Sequence, residues 1–305
     1  MSLILLLACV EGGLRWAESW EVIGLAEDGA LLDLSFVRGN SGIWAGAGHV
    51  RGLIATKDEG SVLFGLDAMP NEVRTLQRGL AIGPDELSET GGVWTIVLQE
   101  GEALDGYRDL RLTVSDGHGR TDPVDMGHWQ VEATEILGKA QGYSRVGQRD
   151  RLFLGNALVL HRKGERPPGL RGATRMAAFV MNDSLSIGVD QVGSQVLAWA
   201  LIDGVRLPTD DAVLRIGPKN EVQLDFRPTV DLVVQITPRK PRSRIEPLGH
   251  LSPPEQLAMD AWVGTPTRRV SRGEAIGLYE SKPLTAPAVL LWVDAEEEAS
   301  TDGER

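Results

Sequence analysis

The chain has 305 residues, enough for one large core or two of ordinary size, and a typical domain of about 150 residues leans toward two. Its formal net charge of -12 argues against nucleic acid or an anionic membrane as the main partner, since either needs a basic face. The 36 glycines and 16 prolines are spread along the whole length between short Val, Leu, Ile and Trp runs, the pattern of an all-β protein.

In chain order, the single cysteine, Cys9, excludes a disulfide within the chain and a multi-cysteine zinc site. Leu6-Leu7-Ala8-Cys9 admits two readings. One is a buried first strand from Leu3 to Val10, which goes with a cytoplasmic protein; the other is the cleavage box of a truncated lipoprotein signal, which would anchor the chain to a membrane through Cys9. No other segment approaches the roughly 20 apolar residues of a membrane span. From Trp20 a strand is expected, then a Glu27-Asp28-Gly29 turn, then a strand from Ala30 to Phe36, because Asp-Gly between apolar runs is a hairpin signal. Further strands are expected at 43–55, 61–66, 92–98, 109–114, 129–133 and 152–161. A short helix or a long connection is expected at 70–80, and a hairpin tip at Asp116-Gly117-His118-Gly119. About eight strands before residue 165 suffice to close one barrel.

Glu165-Arg166-Pro167-Pro168-Gly169 marks a boundary, giving expected domains 1–165 and 166–295 and a disordered acidic tail at 296–305. A second strand series is expected at 173–181, 185–191, 195–202, 213–216, 222–226, 231–237, 268–279 and 288–293. Arg239 to Arg244 read as a solvated loop among prolines, and Ser252-Pro253-Pro254-Glu255 caps one helix running to Val263.

The five histidines, at 49, 118, 128, 161 and 250, never stand at i,i+2 or i,i+4 spacing, so no metal site is expected. Phosphate-loop, dinucleotide and nucleophile-elbow motifs are missing as well, and no cofactor is expected. On the strand ending at His161, alternation puts Phe153, Ala157, Val159 and His161 on one face and Leu152, Leu154, Leu158 and Leu160 on the other. Both faces are apolar, as for a strand covered on two sides. His161 is left with two roles, one structural at a domain junction and one facing a ligand.

Read from His128-Trp129-Gln130-Val131 through Ala140-Gln141-Gly142-Tyr143 to Gly155-Asn156-Ala157-Leu158-Val159-Leu160-His161-Arg162-Lys163-Gly164, the chain resembles the two-domain lipocalin-like proteins of the hydroxyneurosporene synthase (carotenoid 1,2-hydratase) and tocopherol cyclase group. The resemblance implies two lipocalin-like antiparallel β-barrels packed together. It also implies an apolar small molecule as partner: an isoprenoid, polyene or lipid, held in a barrel or at the barrel junction. The group's pattern G-x-x-Y-x-D-H-x-W-G carries an acid that here is Leu160, while His161 is kept and Lys163 stands at the aromatic position. Protonating an alkene needs a strong acid, so the resemblance implies binding without hydration unless another carboxylate replaces it. Glu132, Asp190 and Asp125 are the candidates, Asp190 standing out because Leu185, Ile187 and Val189 line the other face of its strand; its bland reading is a solvent-facing strand end. The other function open to this fold is a cofactor-independent cyclase, isomerase or hydratase, which with His161 would draw on the same carboxylates. Trp129 and Trp199, mid-strand beside small or polar neighbours, are the expected ligand-lining tryptophans, with Leu160 and His161 beside them.

Overall fold

The computed structural model describes residues 16–39, 46–56, 60–103, 106–120, 124–126, 129–146, 149–165, 175–181, 185–192, 195–203, 205–209, 212–245 and 267–294. Among these the fold is antiparallel β throughout, apart from one 3-10 turn at Pro70–Glu72. The first sheet is built from β1 (Trp16–Ala26), β2 (Leu31–Gly39), β3 (Ala47–Thr56), β4 (Gly60–Ala68), β5 (Val73–Leu76), β6 (Gly79–Ile82), β7 (Asp85–Thr90), β8 (Val93–Ala103), β9 (Gly106–Arg120), β10 (Val124–Met126), β11 (Trp129–Val146) and β12 (Arg149–Glu165). Its order is β4-β3-β2-β1-β12-β11-β9-β8-β7-β6-β5, with β10 paired to β11. The sheet curls into a nearly closed barrel. At the seam β3 abuts β5 so tightly that a Cβ on Gly48 would stand 2.8 Å from Val73 Cγ2.

The second sheet holds β13 (Arg175–Met181), β14 (Leu185–Val192), β15 (Gln195–Ile202), β16 (Val205–Leu207), β17 (Val213–Ile216), β18 (Val222–Asp225), β19 (Leu232–Ile245), β20 (Thr267–Tyr279) and β21 (Lys282–Asp294). In the order β16-β15-β14-β13-β21-β20-β19-β18-β17 it forms a half-barrel.

Local chemistry sets the registers. The β1–β2 hairpin turns at Asp28-Gly29: Gly29 takes a φ of 85°, and the Asp28 carboxylate accepts the Ala30 amide at 2.9 Å. The strict two-residue period then sorts β1 and β12 into two faces. Trp20 and Val22 of β1, with Ala157 and Val159 of β12, point into the first barrel. Ile23 and Leu25, with Leu158 and Leu160, point outward onto Ala177, Phe179, Trp199, Val289 and Leu291 of the second sheet. β12 is therefore covered on both faces from Ala157 onward, whereas Leu152 and Leu154, beyond the reach of the second sheet, are exposed. Each large aliphatic or aromatic side chain buried in this junction contributes about 1.5–3 kcal/mol, so the two sheets hold one another through a core of their own.

Four expectations are corrected. Past the 3-10 turn, the stretch 70–80 expected as a short helix or a connection is strand, and residues 73–90 form three short strands; these and β10 raise the first sheet from about eight strands to twelve, and β16 adds a ninth to the second. His118 lies within β9, paired with Leu137 beside a register shift, not at a hairpin tip. Arg239 to Arg244 lie on β19, where the prolines are absorbed by an irregularity between Pro238 and Arg242 instead of ending the strand. Asp190 is buried, not solvent-facing. Cys9, the segment from Ser252 to Val263, the boundary around Pro167 and the acidic tail lie outside the described residues.

Candidate functional site

At the end of the first barrel where β1 begins and β12 finishes, the inward faces carry a polar and aromatic group instead of more aliphatic core. The register sets Trp20 opposite His161 and Glu18 opposite both Arg38 of β2 and Lys163 of β12. Direct opposition across β1 and β12 stacks the Trp20 and His161 rings, with centroids 3.7 Å apart and planes within 5°. Trp94 of β8 closes on the same indole at 5.1 Å, tilted by 45°.

Glu18 binds two donors at once. His161 Nε2 donates to Oε1 at 2.9 Å and Arg38 Nε to Oε2 at 2.5 Å. Burial works against the Glu18 anion, but the hydrogen bonds from His161 and Arg38, with their positive charge, outweigh it and hold the carboxyl below its ordinary value of 4.5. Around this pair the rim is cationic and aromatic. Arg38 lies 4.6 Å over the Trp16 ring and Lys163 5.8 Å from it, while Arg78 sits 5.4 Å over Trp94 and pairs with Glu89 at 2.9 Å. The His161 side chain is 12 % exposed and that of Glu18 6 %, so both stand at the boundary between core and solvent. The indole N–H of Trp20 is buried and has no hydrogen-bond partner among the described residues.

The lowered Glu18 value fixes a pH dependence. Because the folded-state value lies below the unfolded one, the stabilisation is complete above pH 4.5 and is lost as pH falls through the folded value. We expect the near-UV circular dichroism of the stacked indole and the denaturant midpoint to fall together below pH 4.5 in the wild type. Glu18→Gln should begin lower at neutral pH and show a flatter acid limb.

The other charged cluster belongs to the junction. Arg268 of β20 grips Asp33 of β2 through Nε at 2.9 Å and Nη2 at 2.6 Å, and Glu21 of β1 through Nη1 at 3.0 Å. Burial opposes the guanidinium charge, yet Asp33 and Glu21 outweigh it and raise its pKa. A second pair runs the other way, with Arg162 of β12 donating to Asp190 of β14. Each sheet thus sends one arginine to carboxylates of the other.

These positions sort the residues singled out from sequence. His161 lies on the inner face of the first barrel with Glu18. Asp190 lies at the junction, its carboxylate bound by Arg162, and its strand neighbours Ile187 and Val189 point the other way, into the second barrel. Leu160 and Trp199 are both in the junction core, where Trp199 packs so closely on β14 that a Cβ on Gly188 would stand 2.3 Å from its ring. Across β10 and β11 the backbone of Asp125 pairs with Gln130 and that of Trp129 with Met126, and Glu132 follows on β11; the side chains of Trp129, Asp125 and Glu132 lie outside the described residues. Glu18, Trp20 and Trp94 were not singled out, although Glu18 shares its strand face with Trp16, Trp20 and Val22.

No protein-family model and no curated protein matches this chain. The fold, however, is shared with solved lipocalin-like barrel proteins. A Nitrosomonas europaea protein given the name AttH superposes with a TM-score of 0.57 at 10 % identity, covering 92 % of this chain and 93 % of that one. CghA superposes with a TM-score of 0.63 at 12 % identity, covering 96 % and 90 %, and its structure with Sch210972 gives 0.63 at 10 %, covering 93 % and 89 %. At these identities the likeness is one of fold. The chemistry must be read from the mouth: an ionised carboxylate, an imidazole it orients, two indoles and a cationic rim. No described helix is long and apolar enough to cross a membrane.

Proposed function

We propose that the protein binds an apolar small molecule of isoprenoid or polyene type at the mouth of the first barrel, against Trp20, Trp94 and His161, without acid-catalysed hydration. The observation that carries this reading is the stacked Trp20–His161 pair, with its buried indole N–H that has no partner among the described residues, at a place where the inner face of the barrel meets solvent. Within the buried cores the side chains of the first barrel are at most 7 % exposed and those of the second sheet at most 9 %, so the partly buried margin is the better place for a ligand than the middle of either core. The junction is as tightly filled, with Leu160 and Trp199 at 0 % and 1 %. Hydration is disfavoured because the carboxyl at the mouth, Glu18, is held as the anion and not as the neutral acid that alkene protonation needs. The resemblance of residues 155–164 to the carotenoid hydratase pattern supports the ligand class, and the CghA fold, solved with Sch210972, supports a small-molecule site.

All-trans-retinol tests this, since it absorbs where tryptophan emits. Saturable energy transfer with a dissociation constant in the micromolar range, retained in Trp199→Phe and weakened at least tenfold in Trp20→Phe/Trp94→Phe, supports a ligand at the mouth. Transfer lost with Trp199→Phe but kept in the double variant would move the site to the junction, and absence of any transfer would overturn the reading.

A further inference from the structure

Resting on the mouth site just proposed, we infer that His161 is a general base, oriented by Glu18, for shifting a proton next to the carbonyl group of an apolar ketone. The imidazole is held on two sides. Its Nε2 donates to Glu18 at 2.9 Å, its face lies on Trp20, and Glu18 is itself fixed by Arg38 through its other oxygen. With Nε2 committed as the donor, a neutral ring carries its second lone pair on Nδ1, which has no partner among the described residues and belongs to a ring that still reaches solvent. This is the arrangement in which a carboxylate selects the tautomer of a histidine and supports the imidazolium that forms when the histidine takes a proton. Glu18 is thus a positioning residue. The second independent feature is the Trp20 N–H, a single neutral donor in an apolar wall, suited to an oxygen whose negative charge is transient.

The step balances without a co-reactant. Nδ1 takes the α-proton as the C–H bond breaks; that electron pair forms the C=C bond of an enolate while the carbonyl π pair moves onto oxygen, beside the indole N–H. The proton then returns from imidazolium to the same or a conjugated carbon, so the net reaction is an epimerisation or a double-bond migration with nothing oxidised or reduced.

Among the described residues, the charged groups around His161 are Glu18, Arg38 and Lys163, with Arg78 and Glu89 on Trp94 behind. The test uses 2-tetralone in deuterated buffer. Proton NMR follows deuterium entry at the α-carbons, and tryptophan quenching in the same sample reports binding. The wild type should exchange about a hundredfold faster than His161→Gln, the low end of general-base effects, with a rate that saturates in ketone. Glu18→Gln should keep the quenching, lose about tenfold in rate and displace the acidic limb of the pH–rate profile, a shift that a merely structural role for Glu18 would not produce. Equal exchange in wild type and both variants, with quenching intact, overturns the base and leaves the binding reading standing. Absence of both quenching and exchange overturns the two together. Should His161→Gln lose its near-UV dichroism, Glu18→Gln alone decides: an unchanged rate and profile overturn the inference.

Discussion

Replacing Arg268 by methionine is expected to cost about 3–5 kcal/mol of unfolding free energy, the range for removing one partner of a buried ion pair. The side chain is buried at the junction and holds both Asp33 and Glu21, which are 1 % and 6 % exposed as residues. Methionine fills most of the volume but leaves two carboxylates facing one another in an apolar setting. Protonating them relieves the conflict, so the deficit in Arg268→Met should shrink as pH is lowered, opposite in sign to the acid-induced loss that Glu18 causes at the mouth. A triple variant, Arg268→Met with Asp33→Leu and Glu21→Met, removes the charges together and should recover most of the loss. Denaturant unfolding at several pH values measures all of this. An Arg268→Met midpoint that stays within about 1 kcal/mol of wild type would mean that water or rearranged side chains already serve the two acids.

These two charged clusters show which parts of the molecule were legible in the sequence. Strands with a clear period and sharp turns were read closely: 195–202 and 213–216 match β15 and β17, and Asp28-Gly29 makes the expected hairpin. β5 to β7 were missed for a physical reason. They are four to six residues long, two-residue turns separate them, and β7 is largely polar, so no window holds enough of one period to register. The two faces of β12 were legible because alternation alone assigns them, and His161 fell on the inner face with Val159. Its partner was not. Glu18 lies 143 residues away and meets His161 only through the β1–β12 register, which no local pattern specifies. A lone carboxylate alternating with Trp16, Trp20 and Val22 was the available signal, since a charge on an otherwise apolar strand face needs a partner inside the barrel. Asp190 failed in the opposite direction. A polar residue near a strand end resembles a solvated one until the partner sheet that covers it is known, and here that sheet supplies Arg162.

The same geometry predicts what happens when aspartate is placed at position 160, where the hydratase pattern that residues 155–164 resemble carries its acid. Leu160→Asp should not create an acid at the mouth, because position 160 faces away from it. Its side chain is fully buried in the junction core, opposite Glu21 across β1 and two residues from Arg162 on the same face. The described junction already sets three carboxylates, Glu21, Asp33 and Asp190, against the guanidinium groups of Arg268 and Arg162, so a fourth acid would stand beside Glu21 and have to share Arg162 with Asp190. Truncation alone, Leu160→Ala, should cost about 2–5 kcal/mol through lost packing. Leu160→Asn adds an unpaired polar group, and Leu160→Asp a desolvated charge beside Glu21, so the loss should rise in the order Ala, Asn, Asp at neutral pH. Only the aspartate variant should regain stability on acidification, since burial raises its folded-state pKa above the unfolded value and the protonated form is the one the core tolerates. Denaturant midpoints for the three variants at pH 7 and pH 5 read out both orders. An aspartate variant as stable as the alanine one at pH 7 would mean that position 160 opens onto solvent or a ligand, and the assignment of the mouth to the Glu18–His161 face would fall with it.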